Sequence, residues 1–300
     1  MASVAFWGSS VRYVSIRCRC MDASCLNILF SKRSMEQLAE SGTCGAFQSA
    51  VSLFVRRSDG MTKGEALSQL FSYMGKNYRN EYLYKSLLLK KIVYGRHSPR
   101  TTSAICELPV GKSIADFVLV NGKACIYEIK TDLDNFSRLD SQLNDYYRAF
   151  RYVSVVSSEK SASTLSELLE DSPVGLMVLS DRLTFRTLKE PLCWTSAIDA
   201  SAQFDLLRKK EREEVLLQCG VDLPDTTPVR YYSACLERFR ALDDASRISV
   251  FERILKKRGQ RVDQAALAIY PEEFKLIAYN HGANVRQGEK LLEFAQSKLE

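Results

Sequence analysis

The stretch from residue 105 to residue 130, ICELPVGKSIADFVLVNGKACIYEIK, constrains this 300-residue chain more than any other. Two apolar runs, 114–120 and 124–129, meet at Asn121-Gly122. Both turn residues tolerate positive φ, so the pair predicts a β-hairpin. Alternation along a strand sends Glu128 and Lys130 to one face and Ile129 to the other. Antiparallel pairing across the turn brings Asp116 towards that same face. Two carboxylates and an ammonium therefore converge in strands that otherwise read as buried. Such groups cost several kcal/mol to bury unless they are paired or bind metal.

The surrounding chain predicts alternating helices and strands. Thr62 with Glu65 forms a capping box ahead of Ala66, Leu67, Leu70 and Tyr73, and a short helix precedes it at about 46–55. A helix over 80–93 carries Leu83, Leu87 and Leu88 on one stripe. Strands follow at about 103–108, 114–120 and 124–130. The next helix, 133–150, aligns Phe136, Leu139, Leu143, Tyr147 and Phe150. Arg138, Gln142 and Tyr146 lie on an adjacent line at i, i+4 and i+8. Strands at 152–157, 174–179 and 183–188 surround a helix at 164–170. This order indicates an α/β sandwich. After Pro191 and a linker the pattern is helical, at 204–219, 231–242, 246–258, 263–280 and 286–299. The expected organisation is a partly helical extension over 1–76, a core over 77–191 and a helical region over 192–300.

Bulk composition sets wide limits. Apolar residues make up 46% and charged residues 26%, ordinary values for a globular chain. The formal charge of +6 permits a polyanionic partner without demanding one. No apolar run approaches the ~20 residues of a membrane span. Nine cysteines without a framework fit reduced thiols in the cytoplasm. Cys18-x-Cys20 with Cys25 matches no common zinc spacing, so unliganded thiols are the favoured reading over zinc. The opening twenty residues have no acid and three arginines, faintly like a targeting segment but without a secretory apolar core. A disordered or over-extended start is preferred, with Met21 or Met35 as alternative starts.

Asp116, the hairpin turn, Glu128-Ile129-Lys130 and then Gln142-x-x-x-Tyr146 resemble, in that order, the PD-(D/E)XK nuclease superfamily, restriction-endonuclease-like, in a bacterial branch with a Q-x-x-x-Y element. The resemblance runs from about residue 80 to 191. Ala115 stands where the family usually has proline. The resemblance implies a mixed sheet flanked by helices, with helical N- and C-terminal extensions. It also implies Mg²⁺-dependent hydrolysis of DNA phosphodiesters, with Mn²⁺ as a substitute metal and RNA not excluded, in phage defence, mobile-element biology or repair. Asp116, Glu128 and the Ile129 carbonyl would hold the metal, a hard cation that prefers oxygen ligands. Lys130 would stand by the attacking water or neutralise the transition state. Glu81, on the helix before the first strand, is a candidate further acid, or an i,i+4 partner for Lys85. Gln142, Tyr146 and Arg138 would touch the DNA backbone, or Gln142 and Tyr146 would edge a packing interface. Lys112 and Ser113 would contact phosphate, or face solvent in a turn.

Two other readings stay open. Glu128 and Lys130 form a surface ion pair on an edge strand, or the chain is a catalytically silent module that binds nucleic acid or protein. His97 reads as structural. Lys256, Lys257, Arg258 and Arg261 form a basic cluster, more readily a solvated helix end than a phosphate grip.

Overall fold

The structure, a computed structural model, describes residues 23–300. Cys18, Cys20, Met21 and the basic opening lie outside the described residues. Contacts divide the described residues into two units, residues 83–262 and residues 23–82 with 263–300. The helices after residue 192, read from sequence as one region, therefore fall in both.

The larger unit is an α/β structure built on one six-stranded mixed sheet in sequential order, flanked by helices. Its strands are β1 (Ser103–Val110), β2 (Ser113–Asn121), β3 (Lys123–Lys130), β4 (Tyr152–Ser158), β5 (Gly175–Leu179) and β6 (Phe185–Lys189). The first three form an antiparallel meander, β3–β4–β5 run parallel, and β6 returns antiparallel at the edge. Both tight turns of the meander use a glycine at positive φ, Gly111 at 62° and Gly122 at 73°. A Cβ on Gly111 would also meet Asp145 Oδ1 at 2.8 Å. The predicted Asn-Gly hairpin is formed, with Val120 opposite Ala124 and Val118 opposite Ile126. Strands β4 and β5 are buried on both faces nearly throughout, which explains their unbroken apolar sequence.

Parallel neighbours need crossovers. The helix Leu139–Tyr147 joins β3 to β4, and Ala162–Leu168 lies between β4 and β5. Leu139, Leu143, Tyr146 and Tyr147 share a core with Val118, Val120, Ala124, Ile126, Val153 and Val155. Helices Ala200–Leu206, Lys209–Gln218, Pro228–Arg240 and Asp244–Gly259 add Phe204, Val215, Phe239 and Phe251 to that core. Phe150 meets Phe251 edge-on at 5.8 Å.

Local polar bonds shorten or break several predicted helices. The helix expected over 133–150 begins at Leu139, because the Asp134 carboxylate accepts from both Thr131 N and Thr131 Oγ1 at 2.8 Å. The segment 204–219 breaks near Arg208, whose amide donates to Glu211 Oε2 at 2.8 Å and starts a second helix. The helix over 80–93 passes into a wider π-turn at Leu89–Arg96. Pro271 divides the segment 263–280, since the residue before proline disfavours helix.

In the smaller unit the Thr62–Glu65 capping box is present on Lys63–Asn77. Phe30 stacks on Tyr82 at 5.0 Å, and Phe47 meets Phe294 edge-on at 5.3 Å. Among the described residues no helix is long and apolar enough to cross a membrane, and seven cysteines carry free thiols.

Candidate functional site

The site sits where β2 and β3 separate, at the C-terminal end of β3. The β2–β3 register pairs Phe117 with Tyr127, and continuing it by one residue sets Asp116 opposite Glu128. Directly opposed residues share a face. Asp116 Oδ2 accepts the Ile129 amide at 2.7 Å, so this carboxylate bridges the two strands. Lys130 ends β3 on the Glu128 side, and its Nζ donates to Glu128 Oε1 at 2.9 Å and to Gln142 Oε1 at 2.7 Å. The Tyr146 phenol donates to Glu128 Oε2 at 2.7 Å and also lies 2.8 Å from the Ile114 carbonyl oxygen. Its single proton serves one acceptor at a time.

The helix Leu139–Tyr147 thus supplies two groups one turn apart, Gln142 for the ammonium and Tyr146 for the carboxylate. The i,i+4 spacing read from sequence produces this geometry. Glu128 is 1% exposed, Lys130 6% and Tyr146 0%. Burial, followed by the charge of Glu128, pushes the Tyr146 phenol far above its ordinary range. The pair is therefore buried on a central strand, not at a surface edge. Burial on this scale is tolerated because both Glu128 oxygens and the ammonium have partners.

The other predicted residues occupy different places. The phenol of Tyr146 is turned into the core, which removes it from direct contact with a DNA backbone. Ser113 Oγ donates to Asp145 Oδ2 at 2.7 Å, and the Lys112 amide donates to the same oxygen at 3.1 Å. Asp145 therefore pins the β1–β2 turn to the crossover helix, and only the exposed Lys112 side chain is available to a phosphate. Arg138 is exposed at the start of that helix. Glu81 is exposed and opens Glu81–Leu88, in the smaller unit by contacts, while Lys85 Nζ lies 3.2 Å from Glu107 Oε1. His97 Nδ1 meets Asn121 Nδ2 at 3.0 Å beside the hairpin turn, a structural place. The basic cluster disperses: Lys257 pairs with Glu214 at 2.9 Å, Arg258 pairs with buried Glu211, and Lys256 lines a cavity with Arg151 and Arg253.

Several contributors escaped sequence reading. Ser157 Oγ donates to the Lys130 carbonyl at 2.6 Å and fixes the end of β3. Asp132 accepts from Ser158 Oγ and, at 3.2 Å, from Lys160 Nζ. Glu107 continues the cross-strand row beyond Asp116, with φ of +53°, a strained value for a side chain other than glycine. No spacing rule links Ser157 to Lys130; only the strand register does.

Among the described residues no group of three or more His, Cys, Asp or Glu side chains is placed to hold a metal ion. The acidic donors here are two carboxylates, Asp116 and Glu128.

Fold and site together define an α/β protein whose polar centre lies at the strand ends of a mixed sheet. The family described as Bacteriophage P4 protein cII matches residues 74–275, more than half of the chain and the whole of this site, and the chain belongs to that family. Protein cII of Enterobacteria phage P4 is 30% identical over 111 residues, 36% of this chain. The match spans 41% of that relative's length. No solved structure matches the chain.

Proposed function

We propose that the chain is a metal-dependent nuclease of the PD-(D/E)XK type acting on DNA, with RNA as a further possible substrate. The observation that carries this reading is the single bonded network joining Glu128, Lys130, Gln142 and Tyr146, with Asp116 in register opposite Glu128. Ligands of α/β proteins gather at the C-terminal ends of parallel strands, where this network lies.

The donor set fits a hard divalent cation. Asp116, Glu128 and the Ile129 carbonyl are all oxygen ligands, the chemistry that Mg²⁺ and Mn²⁺ take. Glu128 Oε1 already faces a positive charge, the Lys130 ammonium at 2.9 Å. A bound cation would offset phosphate charge and lower the pKa of a water. Lys130 then serves negative charge that develops on the phosphoryl oxygens, a preorganised electrostatic role. Gln142 orients Lys130 and Tyr146 orients Glu128, so both act as positioning residues. Arg138 and Lys112, exposed near the same strand ends, are the groups that meet the phosphate backbone. Cysteines held as thiols rather than disulfides among the described residues support a reducing compartment such as the cytoplasm.

A second reading has its own support. Glu128 is 1% exposed with both oxygens bonded, as in a network that only holds the fold. The chain is then a silent module that binds nucleic acid or protein. Purified protein incubated with linear, circular, single- and double-stranded DNA and with RNA, in Mg²⁺, Mn²⁺ or EDTA, separates the two. Cleavage that requires metal and vanishes in Asp116→Asn supports the nuclease. Equal, metal-independent binding by wild type and Asp116→Asn without cleavage supports the module.

A further inference from the structure

A second cavity, about 340 Å³, opens in the helical layer and is unconnected with the network above in its residues. Its walls include Phe204, Lys209, Arg212, Glu213, Tyr231 and Tyr232, brought by three helices. The Arg212 guanidinium lies 4.5 Å from the Phe204 ring centre and 5.0 Å from that of Tyr232. The Lys209 ammonium lies 5.1 Å from the Tyr231 ring centre. Among the described residues neither cation has a carboxylate partner; Arg212 donates only to the Phe204 and Asp205 carbonyls. The acids nearby, Glu213 in the pocket wall and Asp205, accept from phenols. Tyr231 Oη donates to Glu213 at 2.9 Å, and Tyr232 Oη donates to Asp205.

Those bonds fix the rings and hold the two carboxylates, which keep their charge, on the phenols rather than on Lys209 or Arg212. Apolar, aromatic walls with a few fixed polar groups, at this volume, suit a small ligand. Rings paired with unspent cations select a flat π-system that carries negative charge. We propose that this pocket binds a planar aromatic ring bearing an anionic group, the chemistry of a nucleoside monophosphate, whether free or as an unpaired nucleotide of a strand. The proposal rests on the pocket alone and stands whether or not the chain cleaves DNA.

The test uses the full chain carrying Asp116→Asn, in EDTA, so that cleavage plays no part. Calorimetric titration with dAMP, adenosine, inorganic phosphate and a short 5′-phosphorylated single strand is compared with Lys209→Glu and Tyr231→Leu. The expected result is saturable dAMP binding, roughly tenfold tighter than adenosine or phosphate, with loss of roughly tenfold or more in each variant at an unchanged melting temperature. Lys209 is exposed, so its substitution tests binding without burden on the fold. Competition by the single strand assigns the nucleotide to a strand, and its absence assigns a free nucleotide. Absence of dAMP binding at millimolar concentration, phosphate binding equal to dAMP, or full binding by Lys209→Glu overturns the proposal.

Discussion

The strand-end network and the helical pocket use the same parts, cations, phenols and carboxylates, to opposite ends. At the strand ends the ammonium of Lys130 meets the carboxylate of Glu128, and Tyr146 completes the shell. In the helical layer Tyr231 and Tyr232 take the acids, and Lys209 and Arg212 are left against ring faces. Burial accounts for the difference. A charge held at 1% exposure must be matched inside the protein, whereas one at a cavity mouth is matched by water until a ligand arrives. The closed network opens only at a cost; the open pocket keeps its cations within reach of a ligand.

The largest effects should come from opening closed pairs. Arg258 and Glu211 form a buried pair in the helical layer, and Glu211→Ala leaves the guanidinium without its carboxylate. Loss of about 3–5 kcal/mol of stability is expected by chemical denaturation. A loss below about 1 kcal/mol would mean that water reaches Arg258 freely. On the proposed nuclease reading, Lys130→Ala at the strand ends should lower the cleavage rate by about 10²–10³ while metal affinity holds or tightens, since a nearby cation is gone. Cleavage at the wild-type rate in a nicking assay would remove Lys130 from the chemistry. Gln142→Ala should follow the same pattern more weakly, with cleavage falling further than stability.

The hairpin and the four-residue step from Gln142 to Tyr146 were legible in the sequence, because turn chemistry and helical periodicity are local. The α/β class was legible for the same reason, as strands and helices alternate along the chain. What stayed hidden is what register and long-range packing decide. Asp145 looks like an ordinary helix acid, yet the turn at Gly111 brings it to Ser113 and the Lys112 amide. Ser157 looks like the end of a valine-rich strand, yet parallel pairing sets it beside Lys130. The burial of Tyr146 was hidden too, since a tyrosine at the margin of an apolar stripe faces core or solvent according to what packs above it. The helical pocket left no motif, because its rings and cations come from separate helices whose breaks depend on local side-chain bonds.

The two regions should also fail at opposite ends of the pH range. Burial works to raise the Glu211 carboxyl, but Arg258 and the Arg208 amide hold it below its ordinary value. A lowered folded pKa gives stability that is present above the unfolded value, about 4.3–4.5, and is lost as the pH falls through the folded one. On the sheet, burial pushes the Cys125 thiol up to about 12 and the Tyr146 phenol higher still. Raised values give stability that is full below the unfolded pKa, about 8.5–9 for the thiol and 10 for the phenol. That stability is lost as the pH rises further. Melting temperature against pH should therefore fall on both sides. Cys125→Ala should flatten the alkaline limb and leave the acid limb in place. An alkaline limb unchanged in that variant and in Tyr146→Phe would show that other groups set it.

The smallest effect belongs to the end of the long helix Asp244–Gly259. Lys257 pairs with Glu214 at 2.9 Å, but both side chains are open to water, at 63% and 32% exposure. An exposed pair gains little Coulomb energy, is screened by salt and loses side-chain entropy on forming. Lys257→Ala should cost no more than about 1 kcal/mol, and that cost should vanish in high salt. Arg258, one residue further on, is paired inside the layer and should show a large cost that salt leaves nearly intact. Measuring Lys257→Ala and Glu211→Ala side by side at low and high salt makes the contrast direct. Equal salt sensitivity in the two would mean that burial does not divide this cluster, and that its cations act as one solvated patch.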